Sequence, residues 1–157
     1  MAKRWFRAEA QGLETFPGTG GVLVVSNHSG GMLTPDALLF AAAFYGKFGC
    51  DRPLYTLGHD ALFVGPLSEW VGRIGLIHAS REGAAKALRS GGVVLVYPGG
   101  VYDSYRPTLT QNVVDFSGRT GYVRTAMEAD VPIVPAVSIG GQESQLFLLA
   151  AHGWRSD

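Results

Sequence analysis

The chain has 157 residues, enough for one domain with a substantial core, and we expect a single domain over residues 1–157. Its 13 basic and 13 acidic residues cancel, which argues against nucleic acid as a partner. The single cysteine, Cys50, cannot form an internal disulfide, and the longest apolar run, Ala37 to Tyr45, has nine residues, too few to span a bilayer.

The first predicted strand is the apolar run Val22 to Ser26. The glycine cluster Gly18 to Gly21 precedes this strand, whereas phosphate-binding loops follow one, so we expect no such loop here. The residues after Ser26 cannot continue the strand, and His28 is therefore expected at its carboxyl end, where α/β sheets bind ligands. Gly30 and Gly31 let the backbone pass close to a substrate.

A helix is predicted from Pro35 to Phe48. Asp36, in its first turn, is placed to turn a carboxylate back toward His28, and a histidine oriented by a carboxylate is a suitable general base near neutral pH. Alternatively, Asp36 is an acid favoured by the helix dipole. His28 and Asp36 are the leading catalytic candidates. His59 beside Asp60 is a rival pair, disfavoured because adjacent side chains point in different directions.

Apolar runs that alternate with helical patterns predict the rest of the fold. The further predicted strands are Pro53–Leu57, Ile74–His78, Val93–Tyr97 and Val131–Ser138. Three further helical segments are predicted: one from Ala61 to Val71 in two pieces, one that begins after Ser80 as its N-cap, and one from Tyr122 to Ala129. This order predicts an α/β fold with a mostly parallel central sheet flanked by helices, and the prolines of the last strand favour a sheet edge or a strand end. Residues 101–117 are expected to form a loop or lid. Residues 139–157 lack a closing element, from which we expect a chain truncated at its C-terminus.

Two further segments are expected at the carboxyl edge of the sheet. Arg81 follows the third strand, and a cation in a first helical turn opposes the helix dipole, which suggests an anion to bind. A solvated arginine is the alternative. Pro98-Gly99-Gly100 ends the fourth strand and brings flexible backbone to the same edge.

Four segments in one order resemble the glycerolipid and lysophospholipid acyltransferases over roughly residues 8–145. The segments are Asn27-His28 with Asp36, Gly75-Leu-Ile-His-Ala-Ser-Arg81, Val96-Tyr-Pro-Gly-Gly100 and Val131-Pro-Ile-Val-Pro135. The resemblance implies that His28 deprotonates an acceptor hydroxyl, Asp36 orients it and Arg81 helps to bind the acceptor. It implies an acyl thioester (acyl-CoA or acyl-ACP) and a lipid acceptor as substrates, with no cofactor and no metal.

The chain departs from the usual pattern of that family at two places. Seven residues separate His28 from Asp36, a longer spacing than usual. The third motif has Pro98-Gly99-Gly100 in place of the usual Glu-Gly-Thr-Arg, which resembles the mono- and diacylglycerol acyltransferase branch, and Asp103 or Arg106 is a candidate for supplying the missing charge. The candidate substrate-binding residues are Asn27, Ser29, Gly30, Gly31, Arg81, Pro98, Gly99, Gly100 and Arg106.

The expected chemistry is direct attack of the acceptor hydroxyl without an acyl-enzyme, because no Gly-x-Ser-x-Gly elbow is present. The amides of Gly99 and Gly100 are the expected oxyanion donors. The alternatives are a serine hydrolase using Ser29 or Ser80 and a non-catalytic lipid-binding fragment. We expect peripheral attachment to a membrane surface on its cytoplasmic side, through exposed apolar residues such as the stretch from Phe63 to Trp70.

Overall fold

The computed structural model describes residues 8–29, 31, 35–64, 72 and 74–144. They form a five-stranded parallel sheet flanked by helices, which confirms the predicted α/β class. The strands are β1 (Val22–Ser26), β2 (Leu54–Gly58), β3 (Leu76–His78), β4 (Val93–Val96) and β5 (Ile133–Ala136). The helices are α1 (Pro35–Phe48), α2 (Arg81–Arg89), α3 (Gly100–Ser104) and α4 (Gly121–Ala129).

The order of the strands in the sheet is β3-β2-β4-β1-β5. β1 pairs with β4 on one side and with β5 on the other, so three strands from distant parts of the sequence lie side by side. Since all pairs are parallel, the loops that follow β1, β4 and β5 leave the sheet at the same carboxyl edge. β5 lies at the edge of the sheet, as its prolines predict.

Both faces of β1 are buried, which explains its continuous apolar sequence. Leu23 and Val25 pack against the small and apolar residues of α2 and α4. Val22 and Val24 face the other way and pack with Phe44 of α1 and Phe16 of the entry segment. The sheet is therefore covered by α1 on one face and by α2 and α4 on the other.

Several predicted boundaries are wrong for identifiable reasons. β3 begins at Leu76 and not at Ile74, because Gly75 has a φ of 84° and a side chain there would meet the carbonyl of Leu54. The predicted loop over residues 101–117 contains most of α3 and a 3-10 turn at Thr108–Thr110. These elements are too short to leave a periodic pattern. The predicted helical pieces from Ala61 onward begin with a 3-10 turn at Asp60–Phe63, and residues 65–71 lie outside the described residues, as do residues 145–157.

No helix in the described part of the chain is both long enough and apolar enough to cross a bilayer.

Candidate active site

His28 and Asp36 contact each other directly. The His28 Nδ1 atom lies 2.9 Å from Asp36 Oδ2, so the fold-back of the long connection predicted from the sequence is confirmed. Asp36 Oδ2 also accepts the backbone N–H of Ser29 at 2.9 Å, and Oδ1 accepts the N–H of Ala37 at 2.8 Å. Three donors therefore fix a buried carboxylate at the start of α1. Gly30, predicted to bind substrate, lies outside the described residues.

The other ring nitrogen of His28 is available for proton transfer. The imidazole is 15% exposed, and among the described residues Nε2 has no hydrogen-bond partner. When Nδ1 carries the proton that is shared with Asp36, Nε2 presents its lone pair outward. This is the tautomer that a general base requires.

Tyr97, the residue after β4, stacks on the imidazole. The two ring centroids are 4.3 Å apart and the planes are inclined by 24°. Burial, and secondly the charge of Asp36, raise the pKa of the Tyr97 phenol far above its ordinary value, so the ring stays neutral. No role is predicted for Tyr97 from the sequence beyond its place at the end of a strand and in the third motif.

A buried ion pair holds the backbone of His28. One carboxylate oxygen of Asp103, which is fully buried, accepts the His28 backbone N–H, and the other accepts a hydrogen bond from the guanidinium of Arg106. Burial raises the pKa of the Asp103 carboxyl, while the His28 N–H and Arg106 act in the opposite direction. Gln142 Nε2 donates to the Arg106 carbonyl at 2.7 Å. In this structure the guanidinium of Arg106 is bound by Asp103. The predicted role of Arg106 in substrate binding stays a prediction.

Further contacts tie the loop after β1 to its neighbours. The side-chain amide of Asn27 exchanges two hydrogen bonds of 2.8 Å with the backbone of Ser138, just beyond β5. The hydroxyl of Ser29 lies 3.3 Å from that of Ser138, and Ser104 Oγ donates to the Gly31 carbonyl at 2.9 Å. Asn27, Ser29 and Gly31, predicted to bind substrate, therefore join the strand ends in this structure.

The turn at Pro98-Gly99-Gly100 lies next to Tyr97 and is held by Arg119. Arg119 donates to the carbonyls of Pro98 and Gly99 at 3.1 and 2.9 Å. The Gly100 N–H, predicted as an oxyanion donor, donates to the Tyr97 carbonyl at 3.0 Å. Gly99 lies so close to the Asp103 side chain that no other residue fits there. No local sequence pattern singled out Arg119.

Arg81 lies apart from His28 and Asp36. It is exposed at the start of α2, after β3, and three strand spacings of about 4.8 Å separate β3 from β1. Ser80 caps α2 as predicted, because its hydroxyl accepts the Gly83 N–H at 3.1 Å. Asp60 pairs with His78 at 3.0 Å, and the side chains of this second pair are 83% and 61% exposed.

A cavity of about 660 Å³ opens beside Asp36 and Tyr97. Its walls come from one face of α1, from the entry segment and from β5 with the residues that follow it. The apolar side chains that line it are Leu13, Phe16, Leu39, Phe40, Ala43, Leu95, Val134, Ala136, Val137 and Ile139. Such a lining suits an apolar chain whose polar end lies near His28.

Among the described residues, no group of three or more His, Cys, Asp or Glu side chains is arranged to hold a metal ion.

A protein-family model described as acyltransferase matches residues 7–139 of the chain. The match confirms the resemblance predicted from the four sequence motifs. The chain is 33% identical over 142 residues to an uncharacterised protein of Mycobacterium tuberculosis, covering 90% of this chain and 39% of that protein.

The chain is also similar to two animal proteins. It is 30% identical over 132 residues to the human protein named "DGAT1/2-independent enzyme synthesizing storage lipids", covering 83% of this chain and 39% of that protein. The bovine protein of the same name is 30% identical, with 38% of it covered. The chain thus spans about two fifths of the length of the curated relatives it matches. No solved structure matches the chain.

Proposed function

Because this chain belongs to the acyltransferase family, we propose that it moves a fatty acyl group from an acyl thioester, acyl-CoA or acyl-ACP, to a hydroxyl of a glycerolipid or lysophospholipid. The observation that carries the proposal is the contact of 2.9 Å between His28 and Asp36 beside a largely apolar cavity. The name of the human relative, which refers to the synthesis of storage lipids, supports a lipid acceptor.

In the proposed reaction, His28 Nε2 takes the proton of the acceptor hydroxyl as its oxygen attacks the thioester carbonyl. The Asp36 carboxylate stabilises the imidazolium that forms. Collapse of the tetrahedral intermediate breaks the C–S bond, and the departing thiolate takes the proton from His28. The products are an ester and a free thiol, and His28 returns to its starting state.

The serine hydrolase alternative has less support. Ser29 is buried, with its hydroxyl beside that of Ser138, and Ser80 serves as the cap of α2. Among the described residues, neither hydroxyl is hydrogen-bonded to the His28 ring. Direct attack by the acceptor therefore fits these side chains better than an acyl-enzyme does.

The acyl chain is proposed to occupy the cavity beside Asp36. Apolar residues make up more than half of its lining, and the side chains that supply polar groups are Glu9, Gln11, Thr15, Ser26, Asp36, Tyr97 and Ser138. A chain that lay along α1 would bring its thioester to the end that carries Asp36 and Tyr97.

The proposal includes peripheral attachment on the cytoplasmic side of a membrane. Glycerolipid acceptors of the proposed kind reside in bilayers, so the protein must reach a lipid surface to meet them. The exposed free thiol of Cys50 suits a reducing compartment.

The test of the proposal is a transfer assay with a panel of acyl thioesters and glycerolipid acceptors, read out as release of free thiol. We expect His28→Ala to lower the rate by about 10²–10⁴-fold, because the proton of the acceptor loses its base. His78→Ala is the matched control, since it removes the histidine of the exposed second pair and is expected to leave the rate nearly unchanged.

Retention of more than about half of the rate by a folded His28→Ala protein would remove His28 from the mechanism. Hydrolysis of the thioester without any acceptor, with a burst of thiol, would instead identify a hydrolase. Binding of lipid without turnover would identify a lipid-binding module.

A further inference from the structure

The segment Pro107 to Val114, here named the edge loop, is uncharged and exposes three large apolar side chains. Its sequence is Pro-Thr-Leu-Thr-Gln-Asn-Val-Val, eight consecutive residues without a charge. Leu109 is 98% exposed, and Val113 and Val114 are 54% and 51% exposed. Exposed apolar side chains grouped in one segment are typical of a surface that contacts something else.

Both ends of the edge loop are anchored at the edge of the sheet that carries His28. Arg106, which precedes it, is buried and pairs with Asp103, the residue that accepts the His28 backbone N–H. After the loop, the backbone carbonyl of Asp115 lies against Gly99, and Phe116 packs on the core. The loop therefore leaves the carboxyl edge and returns to it, with its exposed apolar side chains between two fixed ends.

The apolar surface extends onto α3. Val101 and Tyr102, on the turn that carries Asp103, are exposed as well. We propose that the edge loop, together with Val101 and Tyr102, contacts the surface of a lipid bilayer and so brings the catalytic edge to the acceptor. This inference rests on the proposed function and assigns the membrane contact to one surface of the described chain.

The composition of the edge loop favours a lipid surface over a protein partner. Protein interfaces draw most of their binding energy from tryptophan, tyrosine and arginine, and of these residue types the proposed surface has only Tyr102. Leucine and valine instead partition into the boundary between headgroups and acyl chains, where the exposed Thr110 and Asn112 remain hydrated. The tyrosine beside the loop is a residue type enriched at that boundary.

The experiment measures flotation of the full chain with phosphatidylcholine vesicles. We expect the combined change Leu109→Glu and Val113→Glu to lower the vesicle-bound fraction by about tenfold or more, because two charges would enter the headgroup boundary. Met127→Glu is the matched control, since Met127 is a 76% exposed apolar residue on α4, and it should leave flotation unchanged.

A second variant tests the contact without adding charge. Leu109→Trp adds a fourth tryptophan to the three of the native chain, and the added fluorescence, taken as the difference from the native protein, should be lost when brominated phosphatidylcholine is present in the vesicles. The fluorescence added by Met127→Trp should not be lost. Equal flotation of the charged variant and the native protein, or an unquenched tryptophan at position 109, would overturn the inference. So would a complex of two copies that the charged variant abolishes in the absence of lipid.

A water-soluble assay separates this inference from the proposed function. With a short-chain thioester and a monomeric acceptor, the charged variant is expected to match the native rate, because no bilayer is needed. Loss of flotation with normal soluble activity supports the edge loop as the lipid contact. A native protein that floats but never transfers would contradict the proposed function and leave the edge loop as its membrane contact.

Discussion

The Asp36 carboxylate connects the His28 ring to the loop that carries it. Its Oδ2 atom accepts hydrogen bonds from His28 Nδ1 and from the Ser29 N–H, and its Oδ1 atom accepts one from the Ala37 N–H. The side chain therefore sets the tautomer of the imidazole and the shape of the loop at the same time. Removing its charge while keeping its size separates these two roles.

We expect Asp36→Asn to preserve the fold and to lower kcat by about 10²–10⁴-fold. The asparagine side chain has one acceptor oxygen, whereas the three donors in the native protein use both carboxylate oxygens of Asp36. It also lacks the charge that stabilises the imidazolium. The measurement is thiol release under saturating substrate, with the free energy of unfolding measured in urea on the same protein. Asp60→Asn, in the exposed pair with His78, is the control.

An Asp36→Asn protein with native kcat would show that His28 needs no carboxylate. A protein that lost both kcat and most of its stability would instead assign Asp36 to the loop structure alone.

Other residues around His28 come from distant parts of the sequence. Asp103 contacts the His28 backbone across 75 positions, and Ser138 contacts Asn27 across 111 positions. Tyr97 reaches the site because β4 pairs with β1, and Arg119 reaches the turn after β4 from the loop that precedes α4. His28 and Asp36 could be predicted because a strand end and a helix start are local patterns. Partners that depend on the order of strands leave no local pattern.

At the scale of elements, one face of α1 forms a wall of the cavity. Asp36, Leu39, Phe40 and Ala43 are spaced three and four residues apart, so they lie on the same side of the helix. The seven steps from Asp36 to Ala43 cover about 10 Å at 1.5 Å per residue. An extended acyl chain rises by about 1.25 Å per methylene, given C–C bonds of about 1.5 Å, so that length matches about eight methylenes.

We expect Ala43→Leu to shift the preferred acyl chain toward shorter lengths. The larger side chain would displace about two methylenes from the cavity, and at about 0.8 kcal/mol each this lowers kcat/KM for the longest chains by about tenfold relative to short chains. The measurement is kcat/KM over a series of acyl thioesters. Ala42→Leu is the matched control, because Ala42 is exposed and does not line the cavity.

An unchanged chain-length profile in a folded Ala43→Leu protein would exclude the cavity as the acyl site. A loss of stability of about 1–3 kcal/mol is expected from overpacking, and it acts on all chain lengths equally. The ratio between chain lengths therefore reports on the cavity alone.

The helices and strands could be predicted from the sequence to different extents. β1 and α1 have the predicted bounds, since each combines a clear apolar pattern with a clear boundary signal. α3 was predicted as loop because its five residues are too few for a period. What defines α3 is burial of Asp103 and Ser104 against the loop after β1, which is a tertiary property.

The molecule as a whole has a formal net charge of zero, because its 13 basic and 13 acidic residues cancel. Together with the uncharged edge loop, this predicts vesicle binding that depends little on electrostatics. We expect the bound fraction to change by less than about twofold between low and high salt, and on adding phosphatidylserine to the vesicles. Flotation over a salt series measures this.

A steep fall of binding with salt would point to a cationic surface elsewhere on the protein. Binding that required phosphatidylserine would do the same.

The strand order β3-β2-β4-β1-β5 has a consequence for how the protein acquires its structure. β1 is made early, yet Val22 pairs with Val93 and Leu23 with Ile133. Pairing of such distant segments is slow, because it requires long loops to close. During synthesis both edges of β1 therefore stay unpaired until β4 and β5 have been made. The nascent chain thus carries an exposed apolar strand, a natural substrate for chaperones. The two residues proposed for catalysis are close in sequence, but the sheet that positions them is complete only after β5 has paired with β1.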